Sequence, residues 1–114
     1  MPSRKWRLRI EDIIEAIEKT RAYTAEMSLE AFAGDSKTVD AVIRNVEIIG
    51  EGSRHLPSDI RARFAEIPWD EMRGIRNVLI HEYCGVDVEV LWETIKRDLP
   101  PLLAHLRRIL EEPE

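Results

Sequence analysis

Side chains capable of acid–base and phosphate chemistry are concentrated in one stretch, which contains Arg73, Arg76, Asn77, His81 and Tyr83. At about 100° per residue on a helix, Arg76 and Tyr83 would lie on nearly the same side, with Asn77 and His81 on the adjoining side. His81 is the candidate general acid or base, because imidazole ordinarily titrates near neutral pH. Arg76 is the candidate for binding a phosphate through its planar fork of donors, and Asn77 for orienting the imidazole or the phosphate. The stretch therefore predicts a helix edge that can act on a phosphate group.

Each of these residues also has an ordinary structural explanation. A histidine in the last turn of a helix stabilises the helix end through the dipole. A tyrosine that follows an aliphatic residue at helical spacing often packs in the core with its hydroxyl at the rim. The combination of these residue types in one short stretch is what favours a functional site.

The stretch resembles a known family signature. Arg76, Asn77, His81 and Tyr83 occur in the order and at the spacing of the HEPN superfamily motif, and more narrowly that of the HepT-like ribonuclease toxins of prokaryotic toxin–antitoxin systems. Residues 40–51, 67–69, 85–87 and 90–100 resemble further stretches of that family, in the family's order. The resemblance runs from about residue 10 to residue 110, so it covers most of the chain.

The resemblance implies a metal-independent endoribonuclease without a cofactor. RNA carries its own nucleophile, the 2′-hydroxyl, so cleavage needs a proton acceptor, a proton donor and positive charge beside the phosphate. A single His81 supplies one proton carrier, and a two-fold dimer would bring a second copy into the same cleft. The resemblance likewise implies a homodimer with a composite site at its interface. Arg73 and Arg44 are the other candidate RNA contacts.

The resemblance also implies a regulatory partner. In the HepT-like family, a minimal nucleotidyltransferase antitoxin attaches AMP to the tyrosine of the motif, which here is Tyr83. A phosphate beside Arg76 would neutralise the guanidinium and repel RNA, which is a physical reason for inhibition. The alternative function is a non-catalytic helical binding partner of such a nucleotidyltransferase, and a helical bundle without a ligand is a third. A nucleotidyltransferase gene next to this one would count against the third.

Composition predicts one globular domain over residues 1–114. The chain has 44% hydrophobic and 34% charged residues, and its one cysteine, Cys84, cannot form an intramolecular disulfide. It has no apolar run long enough to cross a bilayer, so we expect a cytoplasmic protein without membrane contact. No zinc pattern or carboxylate dyad occurs, and acids such as Glu47 and Glu51 are interpreted as surface charges of a helix.

Charge is distributed unevenly along the chain. The net charge is −5, yet residues 1–9 contain Arg4, Lys5, Arg7 and Arg9 and no acidic residue. We therefore predict a basic N-terminal arm in front of an acidic body. Solvation of this arm and contact with RNA phosphates are both compatible with its composition.

The periodicity predicts an all-α fold, an up-and-down bundle of four helices with short extra helices. The first helix is predicted over residues 8–26, because isoleucines recur at helical spacing at positions 10, 13, 14 and 17. Ser28 is expected to cap a short helical turn. Asp35 or Ser36 is expected to cap a second helix, which ends at Pro57. Gly50 and Gly52 within that helix predict close approach of another backbone, either in the bundle or across a dimer interface.

Two further helices complete the prediction. The third is expected over residues 68–83, with His81 and Tyr83 in its last turn and Gly85 ending it in the left-handed conformation. Asp87 is expected to cap the fourth helix. Pro100 and Pro101 should interrupt that helix, with a restart capped by Asp98 and running to about residue 110.

Overall fold

The protein is an all-α bundle, as predicted. The structure, a computed structural model, describes residues 2–81 and 85–112, and side chains within residues 5–77 and 85–112. Helix α1 packs most extensively against α3, and α8 and the α5–α6 segment complete the bundle around one hydrophobic core. The elements in chain order are α1 (Pro2–Thr24), α2 (Leu29–Ala33), α3 (Ser36–Arg54), α4 (Ser58–Arg63), α5 (Trp69–Arg73), α6 (Ile75–Leu79), β1 (Ile80–His81), β2 (Gly85–Val86), α7 (Val88–Glu93), a π-helical turn (Thr94–Asp98) and α8 (Leu99–Glu111).

Helix α1 begins earlier than the sequence predicts. Its four isoleucines at positions 10, 13, 14 and 17 are buried as expected. The helix starts at Pro2 rather than at residue 8, however, because Trp6 lies one turn before Ile10 and extends the same buried stripe. Residues 5–9 are therefore the second turn of a packed helix and do not form a separate arm.

Arg7 joins the beginning of the first helix to the end of the last helix. Its Nη1 donates a hydrogen bond of 3.1 Å to the carbonyl oxygen of Leu110, and Nη2 donates to the carbonyl oxygen of Glu112. The last carbonyls of a helix have no partner within the helix, so a guanidinium at that position satisfies them. The same guanidinium lies 5.0 Å from the centroid of the Trp6 ring. Arg7 is thus part of the structural framework.

The predicted caps of α2 and α3 are confirmed. The Ser28 hydroxyl accepts a 3.1 Å hydrogen bond from the backbone N–H of Ala31. The Asp35 carboxylate accepts hydrogen bonds from the hydroxyl of Thr38 at 2.8 Å and from its backbone N–H at 3.1 Å. These bonds favour the charged carboxylate and so hold the pKa of Asp35 below its usual value of 3.8.

The glycines of α3 lie where other elements approach closely. A Cβ atom at Gly52 would lie 2.7 Å from Cγ1 of Ile13 in α1, which is too close for any side chain. A Cβ atom at Gly50 would lie 3.6 Å from the carbonyl oxygens of Met72 and Arg73 in α5. Both of these approaches occur inside the bundle. Gly50 therefore marks the contact of α3 with the segment that carries the motif, although a Cβ atom at this position would still fit.

The predicted third helix over residues 68–83 is wrong. It divides into α5 and α6 at Gly74, and α6 ends at Leu79. Glycine inside a helix costs about 1 kcal/mol relative to alanine, which favours a break at this position. The backbone N–H of Asn77 then bonds to the carbonyl oxygen of Gly74 at 3.0 Å, which starts a new turn.

A short antiparallel pairing follows α6. Ile80 lies opposite Val86, and His81 lies opposite Gly85. Gly85 has a φ of +80°, so the predicted left-handed conformation is confirmed, although it serves a strand pair and not a helix end. His81 is therefore in a strand and not in the last turn of a helix.

The two C-terminal helices are joined by a π-helical turn. The Asp87 carboxylate accepts a 3.1 Å hydrogen bond from the N–H of Val90 and caps α7 as predicted. Pro100 and Pro101 have no N–H to continue the regular ladder, and just before them the N–H of Leu99 bonds to Thr94, five residues back. The predicted cap at Asp98 is wrong, because its side chain makes no capping hydrogen bond and the helical path continues. Within the described ranges, no helix is long and apolar enough to span a membrane.

Candidate functional site

Arg76 lies on the exposed surface of α6 and is bound from another helix. Its Nε lies 3.0 Å from Oε2 of Glu47 in α3. The side chains are 54% and 48% exposed, respectively, so solvent and ligands can reach both of them. An ion pair this exposed contributes little to stability, typically about 0–1 kcal/mol. Its main consequence is therefore the orientation of the guanidinium.

Arg73 is engaged on its own helix. Its Nη2 donates a 2.5 Å hydrogen bond to Oδ1 of Asp70, three residues earlier in α5. It lies near Trp69 and Arg61 in a shallow depression, whereas Arg44 lines a separate groove. The structure therefore does not bring the two candidate RNA contacts, Arg73 and Arg44, into one cavity.

Asn77 follows Arg76 in α6 and is exposed. Because α6 ends at Leu79, the predicted helical i, i+4 relation between Asn77 and His81 does not exist. The backbone of His81 is in β1, two residues beyond the helix, and its side chain lies outside the described part of the structure. Tyr83 lies outside the described residues altogether.

A groove with both signs of charge lies between α1 and α3. It has a volume of about 210 Å³, and we call it the mixed-charge groove. Its lining residues are Arg9, Asp12, Arg44, Glu47, Ile48, Glu51 and Gly52. Because Glu47 also contacts Arg76, the groove leads to the motif arginine. Arg9 lines the groove from α1, in the part of that helix which the sequence already predicts.

A second cavity borders the α5–α6 segment. It has a volume of about 490 Å³, and we call it the acidic cleft. Its charged lining residues are Glu66, Asp70, Glu71, Asp98 and the titratable His105, around an apolar floor that includes Met72, Ile75, Leu99 and Leu102. Among the described residues that line it, none is a lysine or an arginine. His105 is half-buried at this cleft.

Glu47 is the site residue that sequence reasoning misses. The sequence indicates that Glu47 is exposed on α3, but it does not indicate that Glu47 contacts Arg76. The available signal is Gly50, three residues later on the same face of α3, where a close approach is predicted. That approach is made by α5, and Arg76 follows it in the chain. A charged residue one turn from such a glycine is placed to contact whatever packs there.

Metal-ligating side chains are not clustered in the described part of the chain. There, no group of three His, Cys, Asp or Glu side chains is placed to hold a metal ion. Glu47 and Asp70 each face an arginine of the motif stretch.

Comparison with known proteins identifies similar sequences. The family model described as "Ribonuclease HepT-like" matches residues 13–109. A protein of Thermococcus cleftensis named "Probable ribonuclease HepT" is 49% identical over 100 residues, which cover 88% of this chain and 91% of the relative. A "Putative RNase" of Methanocaldococcus jannaschii is 41% identical over 91 residues, covering 80% of this chain and 84% of the relative. A "Putative RNase" of Caldanaerobacter subterraneus is 36% identical over 103 residues, covering 90% and 92%. No solved structure gives a significant match.

The matched range contains the whole motif. Residues 13–109 include Arg76, Asn77, His81 and Tyr83, together with Glu47 and Arg44 of α3. The all-α bundle agrees with the fold expected of that family. The similarity therefore extends over the framework as well as the motif, and the chain belongs to the HepT-like ribonuclease family.

Proposed function

We propose that this protein is a metal-independent endoribonuclease that cleaves RNA by attack of the 2′-hydroxyl on the adjacent phosphate. Its membership of a ribonuclease family supports action on RNA. The observation that carries the proposal is the placement of Arg76, which is exposed and held from α3, five residues before His81. An accessible guanidinium is the group that a phosphodiester in its transition state requires.

The reaction forms one bond and breaks one. The 2′-oxygen attacks phosphorus after losing its proton to a base, the bond from phosphorus to the 5′-oxygen breaks, and that oxygen takes a proton. The products are a 2′,3′-cyclic phosphate and a 5′-hydroxyl. His81 is the proposed proton carrier, Arg76 stabilises the charge that develops on the phosphate oxygens, and Asn77 orients the imidazole or the phosphate.

The site is proposed to be completed by a second copy of the chain. Proton removal and proton donation each need a group, and one His81 per chain supplies one. In a two-fold dimer the motif of each copy lies beside that of its partner, so two histidines serve one composite cleft. The homodimer is therefore part of the proposed mechanism.

The two proposed RNA contacts, Arg44 and Arg73, differ in how freely each can bind a phosphate. Arg44 is exposed in the mixed-charge groove, next to the residue that holds Arg76. Arg73 is bonded to Asp70, so a phosphate must compete with a carboxylate for it. We expect Arg44 to contribute more to RNA affinity than Arg73.

The protein is further proposed to be the toxin of a type VII-like toxin–antitoxin module. Its antitoxin would be a minimal nucleotidyltransferase that attaches AMP to Tyr83. The added phosphate would bring negative charge near Arg76 and repel the substrate. This regulation follows from the family resemblance of the motif, in which Tyr83 occupies the position of the modified tyrosine.

The test is RNA cleavage in EDTA by the wild-type protein and by His81→Ala, with His55→Ala as the matched control. His55 is an exposed histidine at the end of α3, outside the motif. We expect cleavage that survives the chelator and leaves cyclic phosphate ends. It should fall by about a hundredfold or more in His81→Ala and be unchanged in His55→Ala.

Two results would contradict the proposal. Equal cleavage by wild type and His81→Ala would remove the proposed proton carrier. No cleavage of several RNA classes by wild-type protein, shown by mass to lack AMP, would favour the non-catalytic binding partner of a nucleotidyltransferase.

A further inference from the structure

The contact between Glu47 and Arg76 joins two parts of the chain that are far apart in sequence. Oε2 of Glu47 lies 3.0 Å from Nε of Arg76. We infer that Glu47 is a positioning residue, which holds the guanidinium of Arg76 in the orientation that receives the scissile phosphate. This inference rests on the proposed ribonuclease function and adds a residue to its site.

Glu47 approaches the Arg76 guanidinium at Nε, so its two terminal nitrogens stay available to a phosphate. Arginine has five N–H donors, of which Nε carries one and the two terminal nitrogens carry four. The carboxylate makes its closest approach at Nε. The edge formed by the two terminal nitrogens can therefore still bind two oxygens of a phosphate. One guanidinium can thus contact a carboxylate at Nε and donate hydrogen bonds to a phosphate from its terminal nitrogens at the same time.

Glu47 is better fixed than the residue it holds. It lies in the middle of the 19-residue helix α3, next to the buried Val46 and two residues before the buried Ile49. Arg76 lies in α6, which has five residues and is too short to be stable by itself. The rigid helix therefore sets the orientation of the arginine.

The packing of α3 against the α5–α6 segment also indicates that Glu47 orients Arg76. Gly50 lies one turn after Glu47, and a Cβ atom there would be 3.6 Å from the carbonyl oxygens of Met72 and Arg73. This close approach brings the α5–α6 segment within reach of the Glu47 carboxylate. The packing of α3 against α5 thus places the carboxylate of Glu47 within reach of Arg76.

The molecule contains a matched ion pair away from the motif. Glu18 of α1 contacts Arg107 of α8, so this pair also joins two helices. The exposures of its arginine and glutamate are 53% and 48%, against 54% and 48% for Arg76 and Glu47. Glu18→Gln therefore removes the same charge from the same kind of contact without touching the site.

The experiment compares steady-state RNA cleavage by wild type, Glu47→Gln and Glu18→Gln. We expect kcat to fall about tenfold in Glu47→Gln, because the ion pair that orients the guanidinium is lost. KM should not rise, since removing a negative charge beside the site does not reduce the attraction of RNA. Glu18→Gln should retain the wild-type kcat, and all three proteins should melt within a few degrees of each other.

Each outcome decides between named alternatives. An equal kcat for Glu47→Gln and Glu18→Gln, beside an active wild type, would overturn the positioning role alone. An inactive wild type would remove the ribonuclease proposal, and this inference with it. If Glu47→Gln fails to fold, Glu47→Asp decides, because it keeps the charge but withdraws it by one methylene. A lower kcat in folded Glu47→Asp supports positioning, and a wild-type kcat contradicts it.

Discussion

The mixed-charge groove and the acidic cleft offer RNA different environments. The groove lies between α1 and α3, combines Arg9 and Arg44 with three carboxylates, and reaches Arg76 of α6 through Glu47. The cleft is larger and has an apolar floor, and its described lining includes four carboxylates but neither lysine nor arginine. Like charges repel a polyanion over roughly a Debye length, which is about 8–10 Å at physiological salt. We therefore expect RNA to approach the motif from the groove.

This difference explains how a chain with a net charge of −5 can act on a polyanion. The relevant quantity is the local arrangement of guanidinium groups and not the total charge. We expect the acids of the cleft to repel RNA from one side of the motif, and Arg9 and Arg44 of the groove to bind it on another. The comparison can be tested by substitutions on each side.

The largest effect is expected from Arg76→Ala. Removing the guanidinium should lower kcat by about a hundredfold to a thousandfold, as expected for loss of a donor that stabilises transition-state charge. The melting temperature should change little, because the side chain is 54% exposed. Arg107→Ala is the control, since Arg107 has a similar exposure and also pairs with a glutamate of another helix. Arg76→Ala with normal cleavage would place the phosphate elsewhere.

A smaller effect is expected from the groove arginines. Arg9→Ala and Arg44→Ala should each weaken binding of 2′-O-methyl RNA, which cannot be cleaved by this reaction. The slope of log affinity against log salt should become shallower by about 0.7 for each RNA phosphate that the protein no longer neutralises. Arg108→Ala, on the exposed surface of α8 and outside both cavities, should leave the slope unchanged. An unchanged slope in the groove variants would show that RNA does not follow the groove.

The smallest effect is expected in the cleft. Glu71→Gln and Asp98→Asn should leave kcat/KM within about twofold of wild type, because each removes one exposed charge from a surface that RNA does not touch. The same cleavage assay as for Arg76→Ala measures this. A clear loss of activity in either variant would mean that the substrate enters the cleft, and the distinction between the two surfaces would fail.

The sequence predicts the bundle well where apolar residues recur at helical spacing. The isoleucine stripe of α1 and the caps at Ser28, Asp35 and Asp87 are confirmed because they depend on local chemistry. The predicted start of α1 is wrong because the basic residues around Trp6 suggest a solvated arm. Trp6 is instead buried, and Arg7 lies over its ring and bonds to the carbonyl of Leu110.

The site is harder to predict because its geometry depends on tertiary contacts. A single helix over residues 68–83 satisfies the periodicity, but Gly74 divides it and the pairing of β1 with β2 ends it. The contact of Glu47 with Arg76 joins residues 29 positions apart, so no local pattern indicates it. The residue types of the motif are visible in the sequence, while the element that orients Arg76 is not. The roles of His81 and Tyr83 stay predictions.

The hydrogen bond from Arg7 to Leu110 has a consequence for how the protein is made. The bond spans 103 residues, so the second turn of α1 cannot gain this partner until residue 110 has left the ribosome. Until then the Arg7 guanidinium lacks this partner, whereas Trp6 can already pack against Phe64 once that residue has been made. The contact between the first and last helices of the bundle can therefore form only late in the synthesis of this domain.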